Sequence, residues 1–275
     1  MKQGEIMILN TLKKALLNAW NMLIEFPLPF LRHDKDDIVE TESTIILTQS
    51  FFPVVGVICA LLALLLGAVL NKFLYPIPAA AVFAVILTVF CIFKDKGRGL
   101  AGLMSMTSLK QNKISFEESL SDLPDSITEV NTPTATLTMT LVVLFKLFAF
   151  SLMAFYGYAY WLVAIFVLEF AIEGDLTTLP SLQSGKPLLK IKKSKQRYIW
   201  FITGFLVLFV LFKAPVSSLI LFGAAFGLSY GLKFYCNERL NGIDGRIISL
   251  SAYIFELFAL FLGVLLLTKG QVIPQ

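Results

Sequence analysis

Lys146, Glu169 and Glu256 stand inside long apolar runs of this chain. An ionised side chain at mid-membrane costs at least about 2.5 to 3.5 kcal/mol, so each of the three needs a partner. Counted inward from the polar end of its run, Lys146 is about nine residues deep and Glu256 about eight. At a rise of about 1.5 Å per residue they reach similar depth. The expected arrangement pairs Lys146 with Glu256, while Glu169 lies nearer the inner surface. Structural glue between helices is one role open to these charges, and direct contact with a ligand is the other.

A second group lies in the polar connections: Asp95, Arg98, Asp122, Asp125, Glu129, Glu173, Asp175, Asp244 and Arg246. The stretch "ERLNGIDGRIISLSAYIFE", residues 238–256, sets a charged loop directly against an apolar run. A helix beginning near residue 246 would aim free backbone N–H groups and its positive dipole end at that loop, which favours an anion such as phosphate. Gly242 and Gly245 would let the backbone approach such a ligand, or would simply make a tight interhelical turn. Arg98 and Arg246 carry only donors; they cannot hold a divalent metal but can grip a phosphate bidentately.

The elements that position these residues are apolar. The chain is 57% hydrophobic, against about 45 to 50% for a soluble domain, and so reads as a membrane protein. Seven stretches approach the roughly 20 residues needed to cross hydrocarbon. They are residues 51–70, 76–93, 137–155, 158–173, 198–212, 216–232 and 248–267. Long connections (94–136, 174–197, 233–247) alternate with short ones (71–75, 156–157, 213–215). Apart from Lys72, Lys146, Lys213 and Lys269, every Lys and Arg falls in the N-terminal segment or a long connection. The positive-inside rule then places the N-terminus in the cytoplasm and the C-terminus outside. On this reading the net charge of +4 reflects orientation and does not mark a nucleic-acid partner.

Residues 6–24 place Leu9, Leu12, Leu16, Trp20 and Leu23 on one stripe with Lys13, Asn18 and Asn21 off it, as in a helix lying in the membrane interface. Pro27 and Pro29 end that helix, and an acidic linker follows. The first apolar stretch is too polar and lacks the small-residue site of a cleaved leader, so the N-terminus is expected to be retained. Cys59, Cys91 and Cys236 form no CxxC pair and read as packing residues, without disulfide or zinc. The lysine-rich stretch 185–197 reads as a headgroup-facing, topogenic loop. The fold class expected is all-α: one polytopic membrane domain spanning 1–275, with an interfacial helix in 1–30 and a bundle of about seven transmembrane helices in 51–267.

Several segments, in order, resemble the cobalamin synthase family, adenosylcobinamide-GDP ribazoletransferase. They are "FPLP" at 26–29, "FFPVVGVICALLALLLG" at 51–67, "LPDS" at 123–126 followed by "LVVLFKLFAF", and "LNGIDGRIISLSAYIFE" at 240–256. The resemblance runs over residues 20–265 in short motifs. It implies a polytopic inner-membrane enzyme that joins adenosylcobinamide-GDP to alpha-ribazole or its phosphate, releases GMP and uses Mg²⁺. The partners it implies are membrane lipid and a phosphate-bearing nucleotide or corrinoid. Carried over residue by residue, it puts Asp125 and Glu256 in register with family acids; Asp244, two residues before the position where Arg246 replaces the family's aspartate, joins them as an expected catalytic residue, and Arg98, Ser126, Gly242, Gly245 and Arg246 are the expected phosphate contacts. Lys146 and Glu169 remain structural charges.

The chain departs from the family where carboxylates would hold Mg²⁺. The family's pattern resembles D-G-L-A-D-x-x-D-G, whereas residues 98–106 read "RGLAGLMSM", with Arg98, Gly102 and Ser105 at the three acidic positions. Asp95, Asp125 and Asp244 are the remaining metal candidates. Three readings follow: a transferase with an altered metal site; a catalytically inactive paralogue that binds a phosphate-bearing ligand or a partner protein; and a small transporter, which rests on the intramembrane charges alone.

Overall fold

The computed structural model describes residues 3–24, 47–109, 123–124, 127, 130, 132–157, 159–180, 197–210, 215–240 and 242–268. Among them the chain is helical, without strands. The helices are α1 (Gln3–Leu23), α2 (Phe52–Phe73), α3 (Pro76–Phe93), α4 (Arg98–Leu109), α5 (Pro133–Phe155), α6 (Ala159–Leu176), α7 (Arg197–Val210), α8 (Pro215–Tyr235) and α9 (Gly245–Thr268). Proline opens α2, α3 and α5, where its missing N–H would have had no intrahelical partner. At α5 the hydroxyl of Thr132 adds a cap by accepting from Ala135 N at 3.1 Å.

The sequence of α6 is apolar on every face, and such a helix belongs in an interior. Every residue from Trp161 to Leu176 is indeed buried, with α2, α7, α8 and α9 packed round the helix. The α2–α6 contact is close: a Cβ on Gly56 would stand 2.6 Å from the Phe166 carbonyl oxygen and 2.9 Å from Val167 Cα. Only glycine lets these backbones approach so nearly. Around this centre α3 lies against α5, and α4 lies on α5 and α9.

The outer faces are apolar. Leu61, Leu65, Phe73, Val89, Leu141, Phe148, Phe205, Leu219 and Phe261 are all exposed, and a contiguous apolar exterior suits lipid rather than water. Five helices among the described residues are long and apolar enough to cross a membrane: Leu47–Phe73, Pro76–Phe93, Pro133–Phe155, Val216–Leu240 and Gly245–Leu267. The other two expected spans are present as helices but differ in kind. Within its 18 residues α6 carries Glu169, Glu173 and Asp175, and α7 is 14 residues long, about 21 Å at the α-helical rise. The N-terminal helix packs on α2 and buries Ala15, Ala19 and Leu23, while Lys13 and Lys14 face outward. Its buried line therefore sits beside the stripe read from the sequence, sharing Leu23.

Candidate functional site

The buried charges come from the ends and middles of five helices. Lys146 on α5 donates to Glu256 Oε2 on α9 at 2.7 Å, and both side chains are at most 1% exposed. This is the pair expected from the depth count. The ammonium also stands 3.8 Å from the centroid of the Tyr253 ring, whose π face attracts a cation.

Glu169 takes a partner that the sequence reading had assigned to a solvent-facing loop. Lys94, the residue after α3, donates to Glu169 Oε1, and the two side chains are 2% and 0% exposed. The Phe170 ring centroid lies 5.1 Å from Lys94 Nζ. A signal was present: Lys94 directly follows an 18-residue apolar helix, which left its depth open. In both pairs the second carboxylate oxygen, Glu169 Oε2 or Glu256 Oε1, is buried with no hydrogen bond.

Asp95 comes next in the chain and performs a local task. Its Oδ1 accepts from Gly97 N at 3.1 Å and its Oδ2 from Gly99 N at 2.9 Å, capping the start of α4. The turn between them is left-handed at Lys96 (φ 58°) and Gly97 (φ 79°). Burial pushes the Asp95 carboxyl above its ordinary 3.8, outweighing the attraction of Lys94 and the two backbone amides.

At this end of the bundle a cavity of about 200 Å³ opens. Its polar lining comprises Asp95, Arg98, Glu173, Thr177, Gly245 and Ser249, and Met22, Leu23, Phe52 and Ile248 supply apolar wall. Glu173, one helical turn beyond Glu169, is 6% exposed. Its carboxylate makes no hydrogen bond or ion pair among the described residues. Thr177 is turned back, its hydroxyl donating to Gly174 O at 2.7 Å. At the opposite end a cavity of about 290 Å³ is lined by Leu64, Phe83, Met153, Leu162 and small residues, with no charged side chain.

Arg98 and Gly245 thus share one cavity, as an anion-receiving mouth requires, but Arg246 is engaged elsewhere. Its Nε donates to Asp244 Oδ2 at 2.8 Å and its Nη2 to the same oxygen at 2.5 Å. Its Nη1 donates to the carbonyl of Leu123. The arginine therefore ties the segment at Leu123 to the first turn of α9. Gly242 N donates to Cys236 O at 3.1 Å and Ile243 N to Pro180 O at 2.7 Å, so Gly242 belongs to the interhelical turn. Asp125 and Ser126 lie outside the described residues, as do Asp122 and Glu129.

Among the described residues the donor set does not fit Mg²⁺. Asp95 is committed to backbone amides and Asp244 to a guanidinium, and among the described residues no three His, Cys, Asp or Glu are grouped to hold a metal ion. On α4, Gly99 and Gly102 are packed against α9. A Cβ on Gly99 would meet Tyr253 Cβ at 2.8 Å, and one on Gly102 would meet Leu250 Cβ at 3.3 Å. A side chain at 102 would require Leu250 to give by a few tenths of an ångström.

A further salt bridge joins α6 to α8. Asp175 accepts from Lys233 Nζ at 2.5 Å and from Ser229 Oγ at 2.6 Å, with the lysine side chain 19% exposed. The three cysteines are buried packing groups. No protein-family model matches this chain, and neither a curated protein nor a solved structure does.

Proposed function

We propose that this chain is an integral membrane binding protein on a scaffold similar to the cobalamin synthases, and that its polar end receives a phosphate-bearing ligand without metal-dependent transfer. The observation that carries this reading is the α4–α9 contact. At the positions where the resembling family would place three aspartates stand Arg98, Gly102 and Ser105, and Gly102 is packed against Leu250. Helix packing has taken the central one of the three positions that a metal cage would need. Arg98 and the opening turn of α9 at Gly245 supply the positive side of the mouth.

The accompanying topology is seven crossings, with α6 and α7 as the fourth and fifth. The N-terminus and α1 lie on the cytoplasmic face of a bacterial inner membrane and the C-terminus lies outside. In this arrangement α6 crosses inside the bundle, where Lys94 and Lys233 neutralise two of its carboxylates.

Membranes containing the full chain are incubated with adenosylcobinamide-GDP, alpha-ribazole and Mg²⁺, with GMP release and retention of labelled GDP both read against empty-vector membranes. The proposal expects retained nucleotide and no GMP above the control. GMP release would restore the transferase reading, and absence of both would remove the phosphate-bearing ligand.

A further inference from the structure

Among the described residues the polar-end cavity holds a charge imbalance. Around it stand three carboxylates, Asp95, Glu169 and Glu173, each at most 7% exposed. Lys94 is the buried ammonium among them, and Glu169 already binds it. Counting Arg98 as a second cation still leaves one carboxylate in excess when all are ionised. A buried carboxylate without a counter-charge is costly, and the excess falls on Glu173, which opens onto the cavity and has no bonding partner among the described residues.

From this we propose that the cavity seats a primary ammonium group on Glu173, carried on a short apolar stem. An ammonium presents three donors and no acceptor. Glu173 supplies free acceptors, and Asp95 keeps further lone-pair sites beyond its two amides, since a carboxylate offers about four. The Ser249 hydroxyl is a third acceptor on the same wall. Met22, Leu23, Phe52 and Ile248 give the stem an apolar lining, and about 200 Å³ is far more room than a bare metal ion requires. The ammonium would come from a soluble amine or from the headgroup of an aminophospholipid.

This inference rests on the reading that the polar end is a ligand site, and it names the group bound deepest there. Dicyclohexylcarbodiimide, which modifies carboxyls in apolar surroundings, provides the test. The purified full chain is placed in phosphatidylcholine nanodiscs and treated with the reagent, and the modified carboxyl is located by peptide mass spectrometry. The expected adduct is on Glu173. n-Butylammonium at ten times its dissociation constant should suppress it roughly tenfold by mass action, with no butylamide formed at Glu173 in its place. Tetramethylammonium, which has no N–H, and Mg²⁺ should not. Suppression by phosphatidylethanolamine nanodiscs without added amine would make the headgroup the source, and suppression by soluble amine alone would make it a soluble ligand. Three results overturn the proposal: no adduct on Glu173 in phosphatidylcholine, an adduct indifferent to both amines, or equal suppression by Mg²⁺ or tetramethylammonium. GDP retention is measured separately, so losing amine protection with nucleotide still bound removes only the ammonium site.

Discussion

Two buried lysines divide the interior of this molecule into regions of opposite character. Lys146 meets one carboxylate, Glu256, and the region is balanced. Lys94 also meets one carboxylate directly, but Glu173 and Asp95 stand near it with no further buried cation among the described residues. The first pair is enclosed between α5 and α9 and borders no cavity described above, whereas the second lies beside an opening of about 200 Å³. Buried charge of equal number and opposite sign joins helices. Buried charge in excess asks for something from outside.

The largest effects should come from removing the lysines. Breaking a buried ion pair by deleting one partner costs about 3 to 5 kcal/mol, because the other charge is stranded. Lys146→Met should fall in that range, measured as loss of folded protein in detergent, and Lys94→Met should cost at least as much because it strands Glu169 close to Glu173, which has no bonding partner among the described residues. The doubles sharpen the contrast. Lys146→Met with Glu256→Leu should recover most of the stability, whereas Lys94→Met with Glu169→Leu should recover little. Equal recovery in both would erase the distinction between the regions.

A smaller loss is expected at the rim. Lys233 is 19% exposed, and its carboxylate Asp175 keeps the Ser229 hydroxyl. Lys233→Met should therefore cost only about 1 kcal/mol, as partly solvated pairs do. A loss as large as that of Lys146→Met would mean that α6 depends on its rim as much as on its centre.

The sign should reverse at Glu173. Glu173→Gln removes the excess charge and should leave the ligand-free protein as stable as before or more so, in contrast to Glu256→Gln, which strands Lys146. The subtlest expectation concerns pH. Since burial raises the Asp95 carboxyl above 3.8, the folded state holds that proton more tightly than the unfolded chain does. Its contribution is then fullest below 3.8 and is lost as pH rises through the raised value. Asp95→Asn should gain stability relative to the parent as pH increases from acid towards neutral, even after the uniform cost of one lost capping acceptor. A difference that shrinks with rising pH would show that Asp95 is stabilised as its anion.

How much of this was legible follows from how local each signal is. The Lys146–Glu256 pair could be read from depth, because both residues interrupt long apolar runs whose polar ends are easy to find. Lys94 could not: it sits at the end of such a run, and only the left-handed turn at Lys96 and Gly97 and the packing of α6 put it inside. Arg246 was correctly placed at the start of α9. Its hold on Asp244, two residues earlier, and on the Leu123 carbonyl depends on side-chain reach that spacing does not encode. The apolar runs located all five helices that satisfy a membrane span, but α6 and α7 show that composition cannot rank a helix enclosed by its neighbours against one facing lipid. Asp125 and Ser126 lie outside the described residues, whereas Leu123 of the same "LPDS" is tied to Arg246 through its carbonyl.

The claim at the centre is that charge imbalance, not charge burial, marks the ligand end. Thermal unfolding of the full chain, titrated with n-butylammonium in phosphatidylcholine nanodiscs, tests it across the parent, Glu173→Gln and the Lys146→Met, Glu256→Leu double variant. A rising midpoint in the parent and the double variant, absent in Glu173→Gln, is the predicted result. A rise that survives in Glu173→Gln, or is lost only when the balanced pair is removed, would contradict it.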